Sequence, residues 1–297
     1  MTNDRFDLDA VLTTALEAAL EAGDYFKSRF ATELVVKTKS SIADLVTDVD
    51  PYCEQLIRTR IHRSFEAHQV LGEESVEPGR EASERATRAV AQEPALWIVD
   101  PLDGTTNYVN AIPLSVVSIA FASRGELQVG VIYDPYREEV FYAQKGSGAR
   151  LASRADVVEW LGRATADRQT DRPGMKLSVS SVTEMRRAVV STGMPMRHVD
   201  RDVMTQRVMR LVLEAKSLRT LGAAALHLAY VAAGRIDMFW EYELNAWDVA
   251  AGVLLIREAG GVVKDLHGGE YALLTRDIVA SGRQETADHI VATLRGE

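Results

Sequence analysis

Cysteine is almost absent. Cys53 is the only one in 297 residues, so no disulfide can form within the chain, and this usage suits a reducing compartment. Long apolar runs are missing too, since none approaches the roughly 20 residues that a membrane-spanning helix needs. The opening MTNDRFDLDA lacks both a basic stretch and an apolar core, so no secretion signal is expected. A cytoplasmic location without a membrane partner is the expectation. Positive charge is in deficit, with a formal net charge of −9, which argues against non-specific nucleic-acid binding. The six histidines are scattered, and no Cys or His pair has zinc spacing. What remains is an ordinary globular composition, 46% apolar and 26% charged, at a length suited to one large or two closely packed domains.

Apolar spacing orders the chain. Leu8, Val11, Leu12, Ala15, Leu16, Ala19, Leu20 and Phe26 recur at helical intervals. ELVVKTKSSIADLVTDVD reads as a strand, a polar turn and a second short strand. Asp50-Pro51 then offers an N-cap and a first-turn proline for a helix burying Cys53, Leu56, Ile57, Ile61 and Phe65. HQVLGEES is a short strand ending in acids. Residues 76–94 are polar and rich in Glu, Arg and Ala, so either an exposed helix or a loop is expected there. LWIVD returns to strand, and residues 114–146 give three β-rich runs broken by Arg-Gly and Asp-Pro-Tyr-Arg, an antiparallel meander. Beyond a charged stretch at 153–174 come LSVSS, AVVSTG, a helix around 208–215 and the Ala-rich LGAAALHLAYVAAG. IDMFWEY reads as a strand, NAWDVAAGVLLIREAGG as a helix capped by Asn245 and stopped by Gly260, and GVVKDL and DIVAS as strands. An α+β half at 1–152, a surface insertion at 153–174 and an α/β half at 175–297 are expected.

Acids end several of the apolar runs. Asp48, Glu73 with Glu74, Asp100, Asp103 and Asp248 lie at strand ends or helix starts, where an isolated buried carboxylate costs several kcal/mol. A divalent cation would neutralise a converging set, and oxygen-only ligands favour Mg²⁺, Mn²⁺ or Ca²⁺. Residue types alone leave a metal site and a polar surface both open. DPLDGTT adds geometry: Pro101 interrupts a regular strand, and Gly104 permits close backbone approach. A helix starting at Thr105 would aim free N–H groups at the space beside the two aspartates, as a phosphate site does. A plain turn with a Thr cap would also satisfy that pattern. Asp248 suits the first turn of its helix whether or not it holds a metal, and the alanines of LGAAAL suit either a close ligand or a packed core.

Taken together, DLVTDVD, GEES, WIVDPLDGTTNYVNAIPLSVVSIAF, LGAAAL and WDVAAGVLLIREAGG resemble the inositol monophosphatase family of Mg²⁺-dependent, lithium-sensitive phosphatases. The motifs run in the family's order along nearly the whole chain. The resemblance implies a layered αβαβα sandwich of mixed α+β and α/β character, and a homodimer. It implies two or three Mg²⁺ ions, with Mn²⁺ a possible substitute and Li⁺ an inhibitor. Glu73, Asp100 and the Leu102 carbonyl would bind one ion, Asp100, Asp103 and Asp248 the second, and Glu73 a weaker third. Thr105 paired with Asp48 would orient the attacking water. Gly104 and Thr105 amides would hold phosphate, Ala224, Glu241 and Asp248 would line the site for substrate hydroxyls, and Glu74 stands behind the ligands. The longer stretches 76–94 and 153–174 depart from the family pattern, and loops of that kind often set specificity.

The implied activity is hydrolysis of a small phosphorylated polyol or sugar, with myo-inositol 1-phosphate favoured by the form of DGTTNYVN. Histidinol phosphate, fructose 1,6-bisphosphate and 3′(2′),5′-bisphosphate nucleotides are the alternatives within the superfamily. A transcription-related binding role is the alternative outside catalysis, since some bacterial members are linked to that machinery. The Asp-x-Asp of LVTDVDPY also resembles that of haloacid-dehalogenase phosphatases, which form an aspartyl-phosphate, but that reading leaves DPLDGTT and WDVAAG unexplained.

Overall fold

Period-2 alternation along LWIVD decides the architecture, because it makes a strand apolar on both faces. Trp97 and Val99 point to one side, Leu96 and Ile98 to the other, and all four are buried. Such a strand needs a layer on each face. The computed structural model describes residues 6–39, 45–168, 171–193 and 201–297.

The elements run in chain order as α1 (Leu8–Arg29), β1 (Val36–Thr38), β2 (Leu45–Thr47), α2 (Val49–Ser64), β3 (Gln69–Gly72), a 3₁₀ turn (Glu73–Ser75), α3 (Arg80–Val90), β4 (Leu96–Asp103) and α4 (Thr105–Val109). The meander follows as β5 (Val116–Ser123), β6 (Glu126–Asp134), β7 (Glu139–Gln144) and β8 (Ala149–Ser153). Then come α5 (Arg154–Leu161), α6 (Thr165–Arg168) and β9 (Met175–Lys176). The rest is β10 (Val189–Thr192), α7 (Arg201–Glu214), β11 (Ser217–Arg219), α8 (Ala224–Ala232), β12 (Met238–Glu241), α9 (Ala246–Glu258), β13 (Val262–Asp265), β14 (Ile278–Ser281) and α10 (Gln284–Arg295).

Among the described residues, β3 to β9 form a seven-stranded sheet in sequence order, and a five-stranded sheet runs β11-β10-β12-β14-β13. Helices α1 and α2 bury Leu12, Leu16, Phe26, Cys53 and Ile57 against the Trp97 face of the large sheet. Helices α8 and α9 fill the space between the sheets, packing with Ile98 and Phe141 on one side and Phe239 and Ala280 on the other. Leu211 of α7 and Ile290 of α10 cover the outer face of the small sheet with Val190 and Trp240. The layers are therefore αβαβα, as the motifs imply.

Several local expectations differ from the structure for identifiable reasons. Helix α2 starts at Val49, with Asp48 in the N-cap position, so Asp50 and Pro51 lie inside its first turn. Leu56 is only half-buried, because it sits beside the Cys53–Ile57–Ile61 stripe rather than on it. The polar turn read between β1 and β2, at 40–44, lies outside the described residues. Residues 177–181 form no strand, and only Met175–Lys176 pair, antiparallel to β8 at the edge of the large sheet. The stretch 153–174 is more than surface: Ser153 caps α5 through Asp156 N–H, and Val157 and Trp160 are buried in the α1–α2 core. Helix α10 is not among the expected elements, although Ala287, Ile290, Val291 and Leu294 have helical spacing.

Small residues let α8 and α9 lie close. A Cβ placed on Gly252 would stand 2.4 Å from Leu228 Cβ, which no rotamer change of Leu228 can relieve. Gly252→Ala is expected to destabilise the fold by about 1–3 kcal/mol through overpacking, read as a lower urea midpoint at unchanged slope. An unchanged midpoint would show that the helices have room to separate.

Candidate metal and phosphate site

Asp100 and Asp103 lie three apart, so in a regular strand they would point to opposite faces. The β4–β5 register prevents this. Asp100 pairs with Ser118 and Asp103 with Val116, so β4 carries one extra residue at Pro101-Leu102. This bulge turns both carboxylates toward α8 and α9 while Leu102 packs into the opposite core. Gly104 follows at φ 93°, a left-handed conformation, and a Cβ there would crowd Leu114 O at 2.8 Å. Helix α4 then begins at Thr105, as DPLDGTT predicts.

The other acids arrive from separate elements. Glu73 opens the 3₁₀ turn after β3, and Asp248 lies in the first turn of α9. Carboxylate oxygens of Glu73, Asp100 and Asp248 lie within 4.8 Å of one another. Asp103 stands beside this trio with part of its capacity already used: its Oδ2 accepts Ala225 N–H at 2.7 Å, and the Ala224 and Leu226 amides also turn toward it. Ala224 is thus buried in a helix start that steadies Asp103. Asp248 Oδ2 accepts Asn245 N–H at 2.6 Å in a capping box, and Asp100 Oδ1 accepts Leu102 N–H at 3.0 Å.

These N–H donors do not fully offset the charge. Burial pushes Asp103 up to about 7, and burial with the charge of Glu73 pushes Asp100 and Asp248 well above the ordinary carboxylate range. Glu241, at the end of β12, is raised to about 8 by burial and then by Asp103 and Asp248. Glu74 is raised to about 8 by burial and by Glu73. Lys39 Nζ reaches Glu73 Oε1 and Glu74 Oε1, each at 2.8 Å. Burial opposes the charge on Lys39, but the two glutamates outweigh it and raise its pKa. An all-oxygen set of converging acids short of counter-charge fits hard divalent cations. Glu73, Asp100, Asp103 and Asp248 side chains, with the Leu102 carbonyl, are the groups that would hold them.

The partner of Thr105 is corrected. Thr105 Oγ1 lies 3.1 Å from Asp50 Oδ1 and 3.2 Å from Leu102 O, and its single proton can serve one of these acceptors at a time. Asp48 instead accepts Val35 N–H at 3.1 Å and Arg29 Nη2 at 3.4 Å, on the exposed side of the β1–β2 hairpin. Because α2 begins at Val49, Asp50 turns inward and is buried, its Oδ2 accepting Thr47 N–H and Oγ1. Burial raises its pKa.

Three further residues escape a motif reading. Glu54, one helical turn after Asp50 and buried, accepts Glu74 N–H at 2.7 Å and the Ser75 hydroxyl, so it anchors the turn that presents Glu73. An acid on the apolar stripe of α2 was its only sequence signal. Asn107 Nδ2 donates to Leu114 O and Leu221 O, tying α4 to the loop before α8. Arg276 donates to Asn245 Oδ1 at 2.6 Å, Ser83 Oγ at 3.0 Å and Glu243 O at 3.0 Å. The 76–94 stretch thus carries the helix of its two expected alternatives, α3, which is partly exposed and is latched through Ser83 to the turn that caps the Asp248 helix.

The raised carboxyls fix a sign for stability. Each folded-state pKa exceeds its unfolded value, so the favourable contribution is complete below about pH 4. It is lost as pH rises through about 7 for Asp103 and about 8 for Glu241. The EDTA-treated protein is expected to lose thermal stability between pH 5 and pH 8, and Mg²⁺ is expected to raise Tm more at pH 8 than at pH 5. Thermal unfolding followed by circular dichroism checks this, and equal Mg²⁺ increments at both pH values would contradict it.

The profile of the inositol monophosphatase family matches residues 7–297. The chain is similar to the Nus factor SuhB of Escherichia coli K12, 35% identical over 97% of this chain and 96% of that protein. It is similar to inositol monophosphatase 2 of Rattus norvegicus, 33% identical over 97% of this chain and 90% of that protein. Among solved structures, the extragenic suppressor protein suhB of Bartonella henselae superimposes with a TM-score of 0.79 at 34% identity, covering 96% of this chain and 98% of that one. With its fold, motif order and whole-length match in agreement, the chain belongs to the inositol monophosphatase family.

Proposed function

We propose that the protein is a metal-dependent phosphomonoester hydrolase acting on a small phosphorylated polyol, with myo-inositol 1-phosphate the first candidate. The observation that carries this reading is the convergence of Glu73, Asp100 and Asp248 oxygens within 4.8 Å, beside Asp103 and the Thr105–Asp50 pair. Mg²⁺ bound there would supply Lewis-acid activation of water and neutralise the phosphate and the leaving oxygen. Phosphate monoesters hydrolyse so slowly unaided that such an enzyme must lower the barrier by about 20 kcal/mol.

The chain's own groups have distinct parts in this reading. Thr105, donating its proton to Asp50, turns its lone pairs outward to accept a proton from the attacking water. Asp50, its basicity raised by burial, is placed to take up that proton through the hydroxyl. Gly104 and Thr105 contribute amides of a helix start, where N–H groups lack partners within the helix, to the phosphate oxygens. Glu241 receives substrate hydroxyls. A homodimer and inhibition by Li⁺ belong to the same proposal. The E. coli relative is named a Nus factor, which supports a second reading as a transcription-linked binding protein. Recovery of RNA polymerase on the catalytically inactive Asp103→Asn protein would favour that role.

Phosphate release with Mg²⁺, measured over inositol, histidinol, fructose and adenosine phosphates with and without Li⁺, tests the substrate class. Release from none of them would overturn the hydrolase reading. Asp103→Asn is expected to abolish turnover while the circular dichroism spectrum stays native, and near-normal activity would remove Asp103 from the metal set. Asp50→Asn is expected to lower kcat by about 10²–10³-fold, whereas Asp48→Asn stays within about twofold because its contacts are exposed. The opposite order would restore Asp48 as the partner of Thr105.

A further inference from the structure

His227 is one of several buried side chains among the described residues that have a polar atom without a hydrogen-bond partner. His227 lies in α8 and is 1% exposed. Leu221 N–H donates to its Nε2 at 2.7 Å, so Nε2 is bare and the neutral ring carries its proton on Nδ1. Burial lowers the ring's pKa to about 4, which keeps it neutral near pH 7. Nδ1 has no hydrogen-bond partner among the described residues, and a buried donor left this way is unfavourable. Its neighbour is the Glu241 carboxylate, with Oε2 at 3.9 Å.

Both sides of that gap are built. The Phe239 ring lies 5.1 Å from the imidazole, centre to centre, and restricts its rotation. Gly193 N–H donates to Glu241, and a Cβ at Gly193 would collide with that carboxylate. Glu241 nonetheless keeps 18% of its side chain exposed, so one edge stays reachable. The 3.9 Å separation is about 1 Å beyond a normal N–H···O distance. A turn about the last side-chain bond of Glu241, which has a broad torsional profile, can close it.

We propose that His227 is a positioning residue for substrate selection, its Nδ1–H aiming the Glu241 carboxylate at a hydroxyl next to the phosphoester while its Nε2 fixes the loop at Leu221. The inference rests on the reading of Glu241 as the contact to substrate hydroxyls. It adds that this acid is set by a neutral histidine. The two ring nitrogens hold opposite walls of one site, so losing either has a different consequence. Without the Nδ1 donor, Glu241 loses its aim. Without the Nε2 acceptor, the loop leading to the Ala224 and Ala225 amides loosens, and Asp103 with it.

Two near-isosteric variants separate these effects. His227→Asn keeps a donor near the Nδ1 position, and His227→Gln keeps an acceptor near Nε2. The quantity read is the ratio of kcat/KM for inositol 1-phosphate to that for p-nitrophenyl phosphate, which has no hydroxyl. The ratio is expected to fall about tenfold in His227→Gln, chiefly through KM for inositol 1-phosphate, and to be retained in His227→Asn. Equal losses on both substrates in His227→Gln, or the same ratio in both variants, would overturn the proposal. A readout without turnover runs in parallel. In ¹⁵N histidine spectra, the His227 ring is expected as the Nδ1–H tautomer, with its Nδ1 resonance displaced by Glu241→Gln. An Nε2–H tautomer, or no displacement, would overturn the contact. If the unaltered protein releases phosphate from neither substrate, the hydrolase reading falls, while the nitrogen spectrum still decides whether His227 engages Glu241.

Discussion

Mutual repulsion among converging, half-buried to buried carboxylates is the constraint around which this molecule is arranged. Glu73, Asp100, Asp103 and Asp248 come from a 3₁₀ turn, both ends of a strand bulge and a helix start, and nothing local in the sequence would bring them together. Their convergence is unfavourable until a cation joins them, so the surrounding structure must hold it against a force that drives it apart. Backbone amides carry much of that load. Ala225 N–H serves Asp103, Asn245 N–H serves Asp248, and Leu102 N–H serves Asp100. Lys39 bridges Glu73 and Glu74 from the other side.

The layers explain how such a site stays rigid. Helices α8 and α9 lie between two sheets, and their N-termini meet the bulged end of β4, so packing of the central layer fixes the donors relative to the acids. Gly252 and the alanines of α8 permit that closeness. Glu54 and Arg276 work one step further out, one anchoring the turn that carries Glu73 and the other joining α3 to the cap of α9. A site built this way gains precision from regular elements rather than from loops.

Most of this was legible because the informative residues break a pattern. Acids ending apolar runs, a proline inside a strand, and a glycine before paired threonines each conflict with simple packing, and all but Asp48 lie at the site. The choice between Asp48 and Asp50 was not legible in the same way. Both belong to one polar tract, and the helix starts two residues before the point that Asp50-Pro51 suggests, each residue turning the side chain by about 100°. Asp50 faces inward only because α2 begins at Val49. The inward acid Glu54 and the inward histidine His227 were hidden by the helical periodicity that surrounds them, since a polar residue on an apolar face shows its purpose only when its partner is known. The roles of Asn107 and Arg276 depend on contacts more than 100 and 30 residues distant, respectively, which no local pattern encodes.

We propose that cations replace protons on Asp100, Asp103 and Asp248. Calorimetric titration of Mg²⁺ into the metal-free protein at pH 7, in two buffers of different ionisation enthalpy, measures that exchange directly. Carboxyls raised to about 7 and above are partly protonated there, so binding is predicted to be saturable and to release on the order of one proton per chain. Saturable binding with no proton release, or no binding at all, would contradict it.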